Sequence, residues 1–156
     1  MKIHAGIVEC AVANLLNYRV YTIVPNVHWG LGLRHECDML ALDDKGRFTE
    51  IEIKVSASDL KADFNKKHGH KSDIISRLVY AMPECLCEKY GHLIPKECGI
   101  IGVKKIGDTR YKAYWVRVPK HNGNKPSIGT VNNFMRLGCM RIWNLKKHNN
   151  KLEKFI

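Results

Sequence analysis

Charged and apolar residues alternate through residues 50–54, which read Glu-Ile-Glu-Ile-Lys, and Asp38 lies in the apolar run that precedes them. Two carboxylates on neighbouring strands can hold a divalent cation, and a nearby lysine can offset part of their mutual repulsion. These residue types therefore indicate a candidate cation site. The same alternation also fits a half-exposed antiparallel strand with its charges in water and with Ile51 and Ile53 in the core.

The loop between the two runs sets which side chains face each other. Residues 44–46, Asp-Lys-Gly, predict a β-hairpin whose three-residue loop ends on a left-handed glycine. If Asp43 pairs with Arg47 across this loop, Asp38 lies opposite Glu52 on one face of the sheet. A two-residue turn would instead put these two carboxylates out of phase.

Like charges at directly opposed positions destabilise a sheet, so the repulsion between Asp38 and Glu52 must be offset. We expect Lys54 to supply part of the compensation and a bound divalent cation to supply the rest. Two alternatives stay open. A register slip of two residues would make Glu50 the ligand in place of Glu52, and a metal-free fold would use Asp38 and Lys54 as a structural ion pair.

The length and the net charge of the chain limit the number of domains and the kind of partner that can be expected. A chain of 156 residues predicts a single domain, residues 1–156, around one core. The 26 Lys and Arg residues against 15 Asp and Glu give a net charge of +11, which favours a nucleic acid as partner. No apolar run approaches the roughly 20 residues that span a membrane, and Glu9 interrupts the apolar N-terminal part, which disfavours a signal peptide. We therefore expect a cytoplasmic protein without membrane contact.

Six cysteines lie mostly among apolar residues, which favours buried thiols over disulfides in a cytoplasmic protein. Cys85, Cys87, His92 and Cys98 lie close together in the sequence, but their spacing matches no common zinc pattern. The sequence leaves open whether these residues bind a metal or an iron–sulfur cluster.

Helices and strands alternate along the first half of the chain. A wide apolar surface predicts a helix at residues 3–18, and β-forming residues predict a strand at 20–27 with Pro25 at an edge or a bulge. Ser56 and Asp59 form a capping-box pattern that begins the next helix. The residues of this helix that should face the sheet are Ala57, Leu60 and Phe64.

Basic residues cluster from residue 61 to residue 71, at the end of that helix and just after it. Such a run is usually a solvated face, but beside paired carboxylates it favours a surface that binds phosphates. The candidate nucleic-acid-binding residues are Lys61, Lys66, Lys67, His70 and Lys71.

The rest of the chain completes an α/β plan with a mixed sheet, a C-terminal β-hairpin and a final helix. The predicted elements are a strand at 77–82, a helix at 84–90 closed by Gly91, strands at 98–103 and 111–118, and a helix capped by Thr130. The apolar stripe expected on the last helix comprises Val131, Phe134, Met135, Gly138, Ile142 and Leu145.

The run ECDMLALDDKGRFTEIEIKVSASDLKADF, followed by RLVYAMP, resembles the MmcB-like DNA repair branch of the PD-(D/E)XK nuclease superfamily. The resemblance covers residues 34–83. It implies a restriction-endonuclease-like core of the order α-β-β-β-α-β, with the acidic residue of the second strand at Asp38 and the E-x-K motif at residues 52–54. Cys37 stands where many members have a proline.

Given this resemblance, the implied function is that of a metal-dependent nuclease that hydrolyses DNA phosphodiester bonds in repair or processing. Asp38 and Glu52 would bind Mg²⁺ or Mn²⁺ together with the Ile53 carbonyl, while Lys54 would orient the attacking water or stabilise negative charge. Glu9 is the candidate for the glutamate that many members carry on the first helix. Many members also form homodimers, so a homodimer is possible here. The alternative is a non-catalytic nucleic-acid-binding protein that kept the fold.

Overall fold

A computed structural model describes residues 3–64, 70 and 72–149. They form an α/β fold in which helices cover both faces of a six-stranded mixed sheet. In chain order the elements are α1 (Ala5–Leu16), β1 (Thr22–Val27), β2 (Cys37–Leu42), β3 (Phe48–Ile53), α2 (Ala57–Phe64), β4 (Ile75–Pro83), α3 (Glu84–Tyr90), β5 (Gly99–Lys105), β6 (Tyr111–Arg117) and α4 (Ile128–Asn149). None of the helices in these residues is long and apolar enough to cross a membrane.

The strands lie in the sheet in the order of the sequence, from β1 to β6. β1, β2 and β3 are antiparallel neighbours, β4 is parallel to both β3 and β5, and β6 returns antiparallel to β5. Parallel neighbours need crossover connections, which contain α2 and α3. The predicted series α-β-β-β-α-β, the C-terminal hairpin and the final helix are therefore confirmed.

The β2–β3 hairpin has the predicted register. Gly46 has the left-handed φ of +71° that the loop requires. The Asp43 N–H donates to the Arg47 carbonyl at 3.1 Å. The last backbone pair of the two strands is Met39 with Ile51. The residues just beyond this pair are Asp38 on β2 and Glu52 on β3, which therefore lie side by side.

A buried aspartate fixes the hairpin loop. Asp43 Oδ1 accepts the N–H groups of Lys45 and Arg47 at 3.0 and 2.9 Å, and its Oδ2 accepts from Arg47 Nε and Arg77 Nη2 at 2.8 and 2.7 Å. Burial opposes the ionisation of Asp43, but the hydrogen bonds from the two arginines outweigh it and hold its pKa below the ordinary value. Since Arg77 lies on β4, the loop that sets the hairpin register is tied to the next strand of the sheet.

Asp43→Ala is expected to lower the free energy of unfolding by about 3 kcal/mol, because two guanidinium groups and two backbone N–H groups lose their acceptor. Urea denaturation at neutral pH would measure the loss. Asp44→Ala, at an exposed position of the same loop, is the matched control and should change the unfolding free energy by less than about 0.5 kcal/mol. Equal effects of the two substitutions would contradict the role assigned to Asp43.

Because the pKa of Asp43 is lowered in the folded protein, its contribution to the free energy of unfolding depends on pH. The stabilisation is complete above the unfolded-state value of about 3.9 and is lost as the pH falls through the folded-state pKa. Below about pH 4 the unfolding free energy of Asp43→Asn should therefore fall less steeply than that of the unchanged protein.

The two faces of the sheet are covered differently. On one face α1 packs against alternate residues of β2 to β6 in a single apolar cluster, whose buried members on the helix are Val8, Ala11, Val12 and Leu16. On the other face, α4 covers the β1–β2 end through Phe134 and Leu137. α2 and α3 cover the β4–β5 end of that face through Leu60 and Cys87. On this second face Phe48 of β3 belongs to the α4 cluster, and Glu50 and Glu52 lie between that cluster and the one under α2 and α3.

Helix ends follow the prediction with two exceptions. The Asp59 N–H donates to Ser56 Oγ at 3.2 Å, as the capping pattern requires. The cap of α4 is Ser127 and not Thr130, because Ser127 Oγ accepts the Thr130 N–H at 3.1 Å. Gly91 does not close α3 in a left-handed conformation: its φ is −58°, and the chain continues into a 3₁₀ turn.

The buried sides of two helices also differ from the prediction. In α2, Leu60 is buried as expected, but Phe64 is exposed and Asp63 takes the inward position. In α4, Phe134 and Leu137 are the buried residues. Three members of the predicted apolar stripe are largely exposed, namely Met135, Ile142 and Leu145. A 22-residue helix that packs against the edge strand β1 leaves much of its apolar surface in solvent.

Candidate active site

The candidate site lies on the face of the sheet opposite α1, along β3. Alternation along this strand puts Ile51 and Ile53 into the α1 cluster and turns Glu50 and Glu52 to the other face. Lys54 follows β3 and contacts Glu52. Glu50 is 0% exposed, Glu52 2% and Lys54 3%. Because a buried ion loses its hydration, each of these charges needs partners inside the protein.

Asp38 stands beside Glu52 where the hairpin pairing ends. Its Oδ2 accepts the Ile53 N–H at 2.7 Å, which fixes the carboxylate, and the residue remains partly exposed. Burial raises the pKa of Glu52 and the negative charge of Asp38 adds to the rise, although the contact with Lys54 opposes it. The two acids are therefore close enough to interact electrostatically, as the hairpin register predicts.

The Lys54 ammonium lies between two carboxylates. Its Nζ is 2.9 Å from Glu52 Oε2 and 3.0 Å from Asp63 Oδ1. Burial opposes the charged form, but the two carboxylates outweigh it and raise the pKa of Lys54 above its ordinary value. The lysine is therefore a cation at neutral pH and a fixed source of positive charge inside the site.

Glu50 is held by two histidines. Its Oε1 lies 2.7 Å from His35 Nε2 and 2.8 Å from His70 Nδ1. Burial opposes the ionisation of Glu50, but the two imidazoles outweigh it and hold the pKa of this carboxyl below its ordinary value. Cys37 Sγ lies 3.9 Å from His35 Nε2, and burial together with the charges of Glu50 and Glu52 raises the pKa of its thiol. Glu50 thus carries a negative charge with positive or polar groups on one side.

His70 links Glu50 to an aspartate on α2. Its Nε2 lies 2.9 Å from Asp63 Oδ2, which also accepts the Tyr80 hydroxyl at 3.0 Å. Burial opposes protonation of the ring, but the hydrogen bonds with Asp63 and Glu50 outweigh it and raise the pKa of His70 to about 9. Burial and the charge of Asp63 raise the pKa of Tyr80, so its hydroxyl remains a donor at neutral pH. Residues of α2 and β4 thereby close the network over β3.

Asp63 Oδ1 is paired with Lys54 Nζ at 3.0 Å, but two other buried carboxylate oxygens lack a hydrogen-bond partner within the described part of the chain. They are Glu50 Oε2 and Glu52 Oε1. Ligand atoms of Glu50, Glu52 and His70 all lie within 4.8 Å of one another, as do those of His35, Cys37 and Glu50. A buried carboxylate oxygen without a donor is costly unless a cation contacts it. The geometry therefore has the composition and spacing of a cation site.

A cavity of about 680 Å³ adjoins this network. Asp63, His70 and Tyr80 form part of its wall, and Lys120 and His121 form another part. Lys120 and His121 lie on a segment that is held against the start of β4 by two asparagine side chains, which donate hydrogen bonds to backbone carbonyls. These bonds are Asn122 Nδ2 to Ile75 O at 3.0 Å and Asn124 Nδ2 to Ser72 O at 2.9 Å. The cavity thus has both carboxylate and basic side chains in its lining.

The structure brings together three of the four predicted catalytic residues, namely Asp38, Glu52 and Lys54. Glu9 is placed elsewhere, because α1 packs on the opposite face of the sheet. Among the residues that the structure describes, no hydrogen bond or ion pair joins Glu9 to the carboxylates of β3. The catalytic role of Glu9 therefore stays a prediction.

The predicted phosphate-binding residues fall into three groups. Lys61 is exposed on α2, with its ammonium 5.6 Å from the centre of the Tyr90 ring. His70 is buried in the carboxylate network and does not face outward as predicted. The remaining predictions lie outside the described residues and are Lys66, Lys67 and Lys71.

The cysteine group whose metal binding the sequence leaves open does not form a metal cluster in the described ranges, 3–64, 70 and 72–149. Cys85 is exposed, while Cys87 and Cys98 are buried in the apolar cluster under α2 and α3. The groups whose ligand atoms are close enough to share an ion there do not include these residues or His92.

Four residues of the network had no functional role in the sequence analysis: His35, Cys37, Asp63 and Tyr80. The sequence did contain a signal for the burial of Asp63, because this residue lies three positions after Leu60 and therefore on the same, buried side of α2. His35 had none, because it precedes β2 in an irregular segment where no periodicity operates. Tyr80 was read only as part of a buried strand.

Comparisons with known proteins agree with this fold. The family model described as DNA repair protein MmcB-like matches residues 3–147. The SPO1766 protein of unknown function from Silicibacter pomeroyi is similar in structure, with a TM-score of 0.69, 23% sequence identity, and coverage of 98% of this chain and 96% of that one. None of the curated proteins compared matches the chain. At 23% identity the structural likeness shows the fold alone, whereas the family match extends over almost all of the chain. The chain therefore belongs to the MmcB-like DNA repair protein family.

Proposed function

We propose that this protein is a divalent-metal-dependent nuclease that hydrolyses DNA phosphodiester bonds in repair or processing. The observation that carries the proposal is the convergence of Asp38, Glu52 and Lys54 at one end of the β2–β3 hairpin. This is the arrangement expected of the PD-(D/E)XK superfamily. The element order α-β-β-β-α-β and membership of a DNA repair family support the same function.

The residues present fit a divalent cation. Asp38 and Glu52 offer carboxylate oxygens, and Glu52 Oε1 is buried with no hydrogen-bond partner among the residues described. We propose that these two carboxylates and the Ile53 carbonyl hold Mg²⁺ or Mn²⁺. When bound, the cation would supply a Lewis acid for the phosphodiester and an activated water.

Lys54 and Asp38 have distinct roles in this proposal. The Lys54 ammonium is already fixed by Glu52 and Asp63, so its charge needs no rearrangement as negative charge grows on the phosphate. Asp38 is held by the Ile53 N–H and is the partly exposed member of the set. A phosphate would therefore approach from the Asp38 side.

The surroundings of the site suit an anionic polymer. The adjoining cavity of about 680 Å³ has the size of a ligand pocket, and Lys120 and His121 contribute basic groups to a wall that also carries Asp73 and Glu97. The net charge of +11 raises the local concentration of DNA around the whole protein. We propose that part of a DNA strand occupies this cavity while a phosphodiester lies at the carboxylates.

A second candidate function is a non-catalytic DNA-binding protein with the same fold. It is favoured by the burial of Glu52 and Lys54, which are only 2% and 3% exposed. A phosphodiester could reach these groups only by displacing atoms that now cover them. In this alternative the carboxylates and the lysine form a structural network, and DNA binds through basic side chains elsewhere.

Cleavage of a panel of duplex, nicked, branched and single-stranded DNA in Mg²⁺ or Mn²⁺ tests the proposal. We expect cutting that a chelator abolishes and that Glu52→Gln loses, while the variant still binds DNA. Glu36→Gln is the matched control, because Glu36 is exposed just before β2, and it should cut normally. No cutting by the unchanged protein, with equal and salt-sensitive DNA binding by all three, would favour the non-catalytic function.

A further inference from the structure

Nitrogen and oxygen donors converge at one point on the β3 face. His70 Nδ1 lies 2.8 Å from Glu50 Oε1 and 3.8 Å from Glu52 Oε1. Ligands that bind one tetrahedral ion at about 2.0–2.2 Å lie about 3.4 Å from one another. The three side chains therefore need only small shifts to contact a single ion.

Both carboxylates in this group have an oxygen without a hydrogen-bond partner in the described residues, Oε2 of Glu50 and Oε1 of Glu52. Neither oxygen is compensated by water at the surface, because Glu50 is 0% and Glu52 2% exposed. Glu52 Oε1 is the oxygen that faces His70. A cation at this point would contact Glu52 Oε1, which the described residues otherwise leave without a donor.

The other side of the His70 ring is arranged as in metal-binding histidines. His70 Nε2 bonds to Asp63 Oδ2 at 2.9 Å, and the same oxygen is held by the Tyr80 hydroxyl at 3.0 Å. Histidine ligands of metals usually donate their second ring N–H to a carboxylate, which fixes the ring and its tautomer. A cation on Nδ1 would leave this bond in place and replace only the contact with Glu50.

We propose that His70 Nδ1, Glu50 and Glu52 form a binding site for one first-row transition-metal cation of the Zn²⁺ or Co²⁺ class. Three protein ligands leave a position for water or a phosphate oxygen. An imidazole donor favours such cations over Mg²⁺, which prefers oxygen ligands alone. The site shares Glu52 with the proposed nuclease centre, but binding at it does not require cleavage.

A competing set of donors lies on the other side of Glu50. Ligand atoms of His35, Cys37 and Glu50 also lie within 4.8 Å of one another. The set with His70 is favoured because Glu52 adds a second buried oxygen that lacks a hydrogen-bond partner among the described residues. A thiolate ligand would distinguish the two sets, since Cys37 belongs only to the competing one.

Absorption spectroscopy and calorimetry with Co²⁺, on the full chain stripped of metal, test this assignment. We expect one ion per chain, visible d–d bands of a four- or five-coordinate ion, no sulfur-to-cobalt charge-transfer band, and retention of the ion in a large excess of Mg²⁺. His70→Ala should weaken Co²⁺ binding by about 100-fold or more. This is a larger loss than is typical when a residue that only contacts a metal ligand is replaced. Glu50→Gln, which keeps the size of the side chain, should do the same.

Two control variants and a check of folding distinguish the proposed cation site from the alternatives. His28→Ala, which removes an exposed histidine, and Cys37→Ser should both keep the affinity for Co²⁺. Circular dichroism of each variant separates loss of a ligand from loss of the fold. Binding that is lost in Cys37→Ser and kept in His70→Ala would overturn the assignment, as would displacement of Co²⁺ by Mg²⁺. DNA cleavage that depends on Mg²⁺, in a protein that binds no Co²⁺, would overturn the transition-metal site and leave the proposed nuclease function intact. Co²⁺ binding at these residues without DNA cleavage in any metal would support the site and contradict the proposed nuclease function.

Discussion

Lys54→Met is expected to lower the free energy of unfolding by about 3–5 kcal/mol, because it leaves the carboxylates of Glu52 and Asp63 buried without the ammonium between them. Methionine nearly matches lysine in length, so charge and not packing is what the substitution removes. Urea denaturation would measure this loss. In a DNA cleavage assay the same variant should be slower by about 10²–10³-fold, since a fixed positive charge no longer faces the phosphate in the transition state.

Two further proteins show whether charge pairing is the cause. Lys45→Met, in the exposed hairpin loop, should change the unfolding free energy by less than about 0.5 kcal/mol. The double variant Lys54→Met with Glu52→Gln should regain part of the lost stability, because one of the two buried carboxylates is then neutral. A double variant less stable than Lys54→Met alone would contradict this explanation.

Asp63→Asn is expected to lower the free energy of unfolding by about 2–3 kcal/mol, because His70, Tyr80 and Lys54 all contact this carboxylate. It should also weaken Co²⁺ binding by about 10–100-fold, since the ring of His70 is then no longer oriented by an anion. Asp63 would act here as a positioning residue. Chemical denaturation and Co²⁺ titration measure the two effects separately.

Asp44→Asn is the matched control, because Asp44 is an exposed aspartate in the β2–β3 loop. It should change neither the stability nor the Co²⁺ affinity. Normal Co²⁺ affinity in Asp63→Asn, together with reduced stability, would show that the aspartate stabilises the fold without positioning His70.

Much of the hairpin could be predicted because it depends on local chemistry. The glycine of the loop fixes a left-handed residue, and that single conformation sets the register over the rest of β2 and β3. The same local reasoning placed the helix after Ser56 and the strand that follows it. Asp38, Glu52 and Lys54 could therefore be grouped from the sequence alone.

The rest of the site depends on contacts between distant segments, which leave no periodic trace in the sequence. Glu50 meets His35 and His70, at separations of 15 and 20 residues. The position of Glu9 relative to the site also depends on long-range packing, because its helix has apolar residues on several sides and the sequence does not show which face of the sheet the helix covers. The burial of Asp63 instead of Phe64 likewise follows from the packing of α2 on β4.

The two apolar clusters on the site face have consequences for local opening of the protein. One cluster holds α4 through Phe134 and Leu137, the other holds α2 and α3, and the charged residues of β3 lie between them. Because α4 has apolar contacts separate from those of α2 and α3, we expect its amides to exchange hydrogen independently of the amides of α2 and α3. A ligand bound along β3 would contact the boundary of both clusters, so its binding would reduce the independent fluctuations of the two halves and couple helices that do not otherwise share a core.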